Sequence, residues 1–176
     1  GTDKEVDDPS IEVYFKQDAT PDSEKNNVGY LASQYMTSMI TSMLNARLSE
    51  LTQSANPPFN RAYSSYGNFF VAKTKEALNL SASSKANGIE GALKVLLQEA
   101  ERARRFGFTE SEYARARANY LQRLESAYNE REKTKHGSYV REYVRNFLDA
   151  EPIPGIETEY AMMNQLAPNL PVQAIN

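Results

Sequence analysis

From Val28 to about Gln53 the apolar residues fall at 28, 31, 32, 35, 36, 39, 40, 43, 44, 48 and 51. That spacing keeps one helical face apolar for about seven turns. A helix so long, greasy along one side, must lie against a second layer of structure, and it needs a firm stop. Asn56-Pro57-Pro58 supplies the stop, because neither proline can extend the hydrogen-bond ladder. Upstream, Thr20-Pro21-Asp22-Ser23 offers the hydroxyl, carboxylate and proline chemistry that opens helices. Met36, Met39 and Met43 lie on the stripe and read as adaptable core side chains.

The pattern on either side of this helix is different. Ile11, Val13 and Phe15 alternate with Glu12, Tyr14 and Lys16 after Pro9-Ser10, which predicts a strand with one buried face. Beyond the prolines, the chain from Arg61 to Ala72 is rich in Tyr, Phe, Ser and Val, and after Lys73-Thr74-Lys75-Glu76 the residues Leu78, Leu80 and Ala82 share a face. An antiparallel pair is expected there, with a bulge at Gly67. Helices follow. Ile89, Leu93, Leu96, Leu97, Ala100 and Ala103 form one face, and Gly107 is placed as a left-handed residue past its end. Thr109 and Glu112 form a capping box for a helix that packs through Tyr113, Ala116, Tyr120, Leu121, Leu124, Ala127 and Tyr128. A shorter helix after Gly137 presents Tyr139, Val140, Tyr143, Val144, Phe147 and Leu148, stopping at Pro152-Ile153-Pro154-Gly155. A last short helix over 157–166 precedes Pro168, and Pro171 starts a further first turn. Strand, helix, two strands and then helices predict a single α+β domain over residues 1–176, a small antiparallel sheet covered on one face by several helices. The opening Gly1-Thr2 and the turn at Pro171 suggest a fragment of a longer multidomain chain, truncated at the C-terminal end.

The 176 residues carry 20 basic and 23 acidic side chains, a net charge of −3, which provides no field for a polyanion and argues against nucleic acid. No run approaches the ~20 apolar residues of a membrane span. Arginines between 102 and 145 are interleaved with glutamates, as on a solvated helix face with i, i+4 pairs; the other reading is an adaptor for an acidic ligand, which would bind with steep salt dependence. There is no cysteine, so disulfides, thiolate-bound metals and a thiol nucleophile are all excluded. His136 stands alone in a basic, turn-like setting, whereas a zinc hydrolase needs three side-chain ligands and an acid/base. No serine sits in a nucleophile-elbow context, and Gly88 and Gly91 are not followed by the Lys-Ser/Thr of a phosphate loop. Independent catalysis by this chain is not expected.

Two features invite contact with something else. Arg47 interrupts the apolar stripe between Leu44 and Leu51, with Glu50 beside it: either a snorkelling cation, or a buried pair or inter-domain contact. Arg61, Tyr63, Tyr66, Phe69 and Phe70 gather guanidinium and aromatic groups on one predicted strand, which could pack as an ordinary hairpin or offer an edge to an extended peptide.

Thr2-Asp3-Lys4-Glu5, the strand at 11–16, the helix closing in Leu44-Asn45-Ala46-Arg47-Leu48-Ser49-Glu50-Leu51, then Pro58-Phe59, the aromatic hairpin and Phe106-Gly107-Phe108-Thr109-Glu110-Ser111-Glu112 occur in one order across most of the chain. That succession resembles a non-catalytic domain of pitrilysin/insulinase-type zinc metallopeptidases, whose tandem α+β repeats (the processing-peptidase-like fold) enclose a chamber. Nothing here matches that family's inverted His-x-x-Glu-His site. The resemblance implies a companion domain, similar to the one directly following the catalytic domain, with the acidic lead-in 2–8 at the junction. It implies chamber wall and help in positioning peptide substrate, no cofactor in this chain, and zinc in a catalytic domain of the parent. The partners implied are other domains of the parent chain and a peptide substrate. Arg47, Arg61, Tyr63 and Tyr66 are the candidate substrate contacts on residue chemistry alone. The alternative is a peptide- or protein-binding scaffold from a catalytically dead relative. An exported or periplasmic setting is favoured over the cytoplasm.

Overall fold

The computed structural model describes residues 9–85, 87–133 and 136–176, and the backbone alone at 136–139 and 141. The acidic lead-in and the side chain of His136 lie outside the described residues. Eight elements follow in order: β1 (Ser10–Asp18), α1 (Val28–Thr52), β2 (Arg61–Asn68), β3 (Lys75–Ser83), α2 (Ile89–Phe106), α3 (Glu110–Asn129), α4 (His136–Asp149) and α5 (Ile156–Asn169). The strands form one antiparallel sheet in the order β1-β3-β2. The α+β expectation holds.

The chain divides into two compact units. One contains the sheet, α1 from Ile40 onward, α2 up to Phe108, and Asn176. Strand periodicity sorts its side chains: Ile11, Val13, Leu80, Ala82 and Ser64 point to one side, while Glu12, Tyr14, Lys16, Arg61 and Tyr63 point to the other. The first side is covered by α1 and α2, where Met43, Leu44, Leu48, Phe59, Leu80, Ala82, Ala92 and Leu96 are buried. Burying each large apolar side chain contributes ~1.5–3 kcal/mol, which pins the register because a one-residue slip would exchange the two faces.

The second unit comprises Thr20–Met39 and Thr109–Ile175. Within it α3 packs on α5, the Tyr35 and Tyr113 hydroxyls meet at 3.0 Å in the interior, and Tyr120 stands edge-on to Tyr35 at 5.1 Å. Tyr128 stacks on Tyr160 at 4.4 Å. Burial raises the pKa of Tyr35 and pushes that of Tyr120 up to about 12. The Thr109 capping box is formed as expected: its side chain accepts from the Glu112 N–H, and the Glu112 carboxylate accepts from the Thr109 N–H.

Four local expectations are corrected. The ladder runs through Gly67 opposite Ala77 with no extra residue, so there is no bulge there. β2 ends at Asn68 rather than near Ala72, because the Phe69 N–H already closes the hairpin onto the Lys75 carbonyl at 2.8 Å. Leu93 and Leu97 lie outside the buried face of α2, whose seat is made by Ala92 and Leu96. α5 continues past Pro168 to Asn169, and the Tyr113 hydroxyl donates to the Leu170 carbonyl at 2.9 Å, satisfying an acceptor that the helix end leaves open.

Candidate functional site

The open face of the sheet is built by parity. Tyr63 of β2 pairs with Ser81 of β3, which pairs with Glu12 of β1, so a tyrosine and a carboxylate flank a small residue. Tyr63 is half exposed and Arg61 is exposed on the same face. Two positions along, Tyr14 donates its hydroxyl to the Glu12 carboxylate, a bond that raises the pKa of Tyr14. Its ring meets Phe69 at 5.4 Å and Phe70 at 5.8 Å, and the Lys16 ammonium lies 5.2 Å from the centroid of Phe69. The result is a surface of rings, hydroxyls and mixed charge, suited to apolar and polar side chains of a bound polypeptide. Tyr14 was legible as a strand residue only; placing it beside Phe69 and Phe70 requires the β1-β3-β2 order.

Tyr66 lies on the other face. Its hydroxyl donates to buried Glu76 at 2.6 Å and accepts from Gln17 Nε2 at 2.5 Å, so the tyrosine ties the two edge strands to the central one. β2 is an edge strand, but its middle is occupied: the Asn45 carboxamide of α1 accepts from the Ser64 N–H at 2.6 Å and donates to the Ser64 carbonyl at 3.0 Å. Ser64 therefore has its strand-like bonds to a side chain, and an incoming peptide cannot take them without displacing Asn45.

Arg47 is buried, at 6% exposure. Its Nη2 donates to the Gly107 carbonyl at 2.9 Å, and its guanidinium lies 4.6 Å from the centroid of Phe108, a desolvated cation–π pair. Asn176 completes this corner, accepting from the Phe108 N–H at 2.7 Å and donating to the Phe108 carbonyl at 3.1 Å. Gly107 has the expected positive φ of 63°, but its ψ of −149° lies away from the left-handed helical region, in a conformation open essentially to glycine. A Cβ there would overlap the Asn176 side chain. The structure thus separates the four candidate residues: Arg61 and Tyr63 share the open face, Tyr66 braces the covered one, and Arg47 sits in the corner that follows α2.

The arginine-rich helices behave as a solvated face. Arg104 and Arg105 both bind Glu101, whose carboxyl is drawn down to about 2, first by the Arg104 hydrogen bond and then by that of Arg105. Arg102 pairs with Glu99. Among the described residues no group of three His, Asp or Glu side chains is placed to hold a metal ion, and no helix is long and apolar enough to cross a membrane. With one histidine and no cysteine, any zinc ligand set in this chain would have to be mostly carboxylate.

No family model matches the chain. It is 39% identical over 69 residues, 39% of its length, to a zinc protease PQQL-like protein of Arabidopsis thaliana, and this match covers 7% of that protein. The fold is that of solved insulinase-family proteases. The periplasmic protease PqqL from Escherichia coli superposes over 98% of this chain with a TM-score of 0.84 at 19% identity, and the match covers 19% of PqqL. A structure of the first half of PqqL gives the same score and is covered over 36% of its length. A predicted insulinase-family protease from Yersinia pestis superposes with a TM-score of 0.79 at 9% identity, also over 98% of this chain. The chain therefore spans a small part of the length of its relatives, and its fold is that of a pitrilysin/insulinase-type metallopeptidase domain.

Proposed function

We propose that this chain is a non-catalytic companion domain of a zinc metalloendopeptidase, forming chamber wall and holding peptide substrate for cleavage by a catalytic domain elsewhere in the parent. The observation that carries this reading is the superposition of 98% of the chain on part of a much longer protease. The partial sequence match to a zinc protease supports it, as does an inventory of one histidine and no cysteine, short of the imidazole and thiolate donors most catalytic zinc sites use. Arg61 and Tyr63 are the residues for direct peptide contact. Tyr66 and Arg47 act one step back, holding the strands and the corner that carry such contacts. The zinc belongs to the catalytic domain of the parent, and other domains of that parent are the standing partners. An exported setting fits the periplasmic location of the Escherichia coli match.

The test compares the isolated chain with its parent. The isolated chain is expected to leave unstructured peptides intact and to retain no stoichiometric zinc after dialysis. In the parent, Arg61→Ala combined with Tyr63→Ala is expected to raise KM for peptides severalfold with little change in kcat. Chelator-sensitive turnover by the isolated chain would overturn the reading. A parent that binds peptides but neither holds zinc nor cleaves them would move the chain to the scaffold class.

A further inference from the structure

α4 is amphipathic, yet it faces the wrong way for a core helix. Val140, Tyr143, Val144, Phe147 and Leu148 fall at i, i+3, i+4, i+7 and i+8, one continuous apolar stripe, and every one of them is exposed, from 48% at Val144 to 86% at Phe147. The helix is held by polar ties. Arg145 Nε binds the Glu151 carboxylate at 2.8 Å, Asn146 Nδ2 donates to the Glu151 carbonyl at 2.6 Å, and buried Lys25 donates to the Asp149 carbonyl at 2.5 Å. Glu142 and Arg145 face a small cavity, about 150 Å³, shared with Glu151, Pro154 and Glu159.

These ties fix the position of α4, and among its described residues no large apolar side chain is buried. A 14-residue helix is marginal on its own in water, and helices of this length persist by seating an apolar face. Five adjacent large apolar side chains left in solvent are also the signature of an interaction surface. The formal charges along the helix cancel, Arg141 and Arg145 against Glu142 and Asp149, so the stripe lacks the basic flank that draws a helix onto anionic lipid. In the first half of PqqL, most of the chain lies outside the part matched here, so a protein of this type has further domains to place against exposed apolar faces.

We infer that the α4 stripe is the seat of another domain of the same parent polypeptide, an apolar face that covers Val140, Tyr143, Val144, Phe147 and Leu148. This rests on the multidomain parent proposed above but not on its proteolytic activity.

Hydrogen exchange on the isolated chain and on the parent tests it. Amides of α4 are expected to exchange at least a hundredfold more slowly in the parent. Phe147→Glu should leave the melting temperature of the isolated chain unchanged and abolish that extra protection in the parent, and Val144→Asn should reproduce the effect more weakly. Equal exchange in both proteins would overturn the proposal. So would an isolated chain that light scattering shows to be a dimer converted to monomer by Phe147→Glu, which would assign the stripe to a second copy. Binding of α4 to phosphatidylglycerol vesicles in place of protection in the parent would equally exclude it. A parent that protects α4 but cleaves no peptide would sink the protease reading and leave this one standing.

Discussion

Val13, Leu80 and Ser64 stand in one row across the sheet, beneath α1 and α2; one residue further along, Tyr14, Asn79 and Ser65 stand in a row on the open side. The same three strands thus supply two surfaces with different duties. On the covered side the neighbours are fixed and a lost methyl group leaves a void, while on the open side the exposed edge positions Arg61, Tyr63 and Ser65 can change without disturbing the packing beneath. The exposed edge positions can therefore vary while the covered face keeps the fold.

Substitutions on the two sides should therefore differ steeply. The largest expected loss is at Leu80, 1% exposed, where Leu80→Ala should cost about 2–5 kcal/mol by denaturant titration; a loss below ~1 kcal/mol would show that α1 and α2 do not seat the sheet as described. Arg47→Met should follow at roughly 1.5–3 kcal/mol, because the Gly107 carbonyl loses a charged donor. If Arg47 contacts substrate instead, this variant will raise KM in the parent with no change in stability. Gly107→Ala should lower stability by about 1–3 kcal/mol, since alanine is strained at that φ and meets Asn176. Tyr63→Ala on the open face should stay within about 0.5 kcal/mol of the parent sequence in melting experiments while weakening peptide binding, and a larger loss would make the open face part of the core.

The smallest effect is spectroscopic. Glu101 on α2 should titrate near 2 by carbon-13 NMR and move up toward the ordinary glutamate value of about 4.3 in Arg104→Ala. Its folded pKa is depressed, so its contribution to stability is present above the unfolded value and lost as pH falls through about 2. A normal midpoint in the unaltered chain would show that the Arg104 and Arg105 pairs do not persist in solution.

Periodicity and end signals made most of the architecture legible: the length of α1, the alternation of β1, the Thr109 capping box and the α+β class follow from contacts within a few residues. What could not be read depends on partners distant in sequence. The corner around Arg47 is closed by Gly107, 60 residues away, and Phe108 is held by Asn176, 68 residues further on. Nothing local to Arg47 distinguishes that outcome from a snorkelling cation. Leu93 and Leu97 fit the helical face as well as Ala92 does, and only the approach of the sheet decides which side is covered. For the candidate contacts, composition grouped Arg61, Tyr63 and Tyr66, although the alternation of β2 itself, local to the strand, puts Tyr66 on the opposite face. The apolar stripe of α4 was equally plain in the sequence; its exposure was not, because hydrophobic spacing says that a face will be covered and not by what.

The Asn45 carboxamide on Ser64 has a consequence for the purified material. An edge strand with free peptide groups is a template on which other chains can zip into fibrils, and proteins guard such edges with charges, bulges or plugs. Here one amide side chain imitates the missing neighbour at mid-strand, so Asn45→Ala should leave the fold recognisable yet shorten the time before concentrated solutions turn cloudy or bind thioflavin.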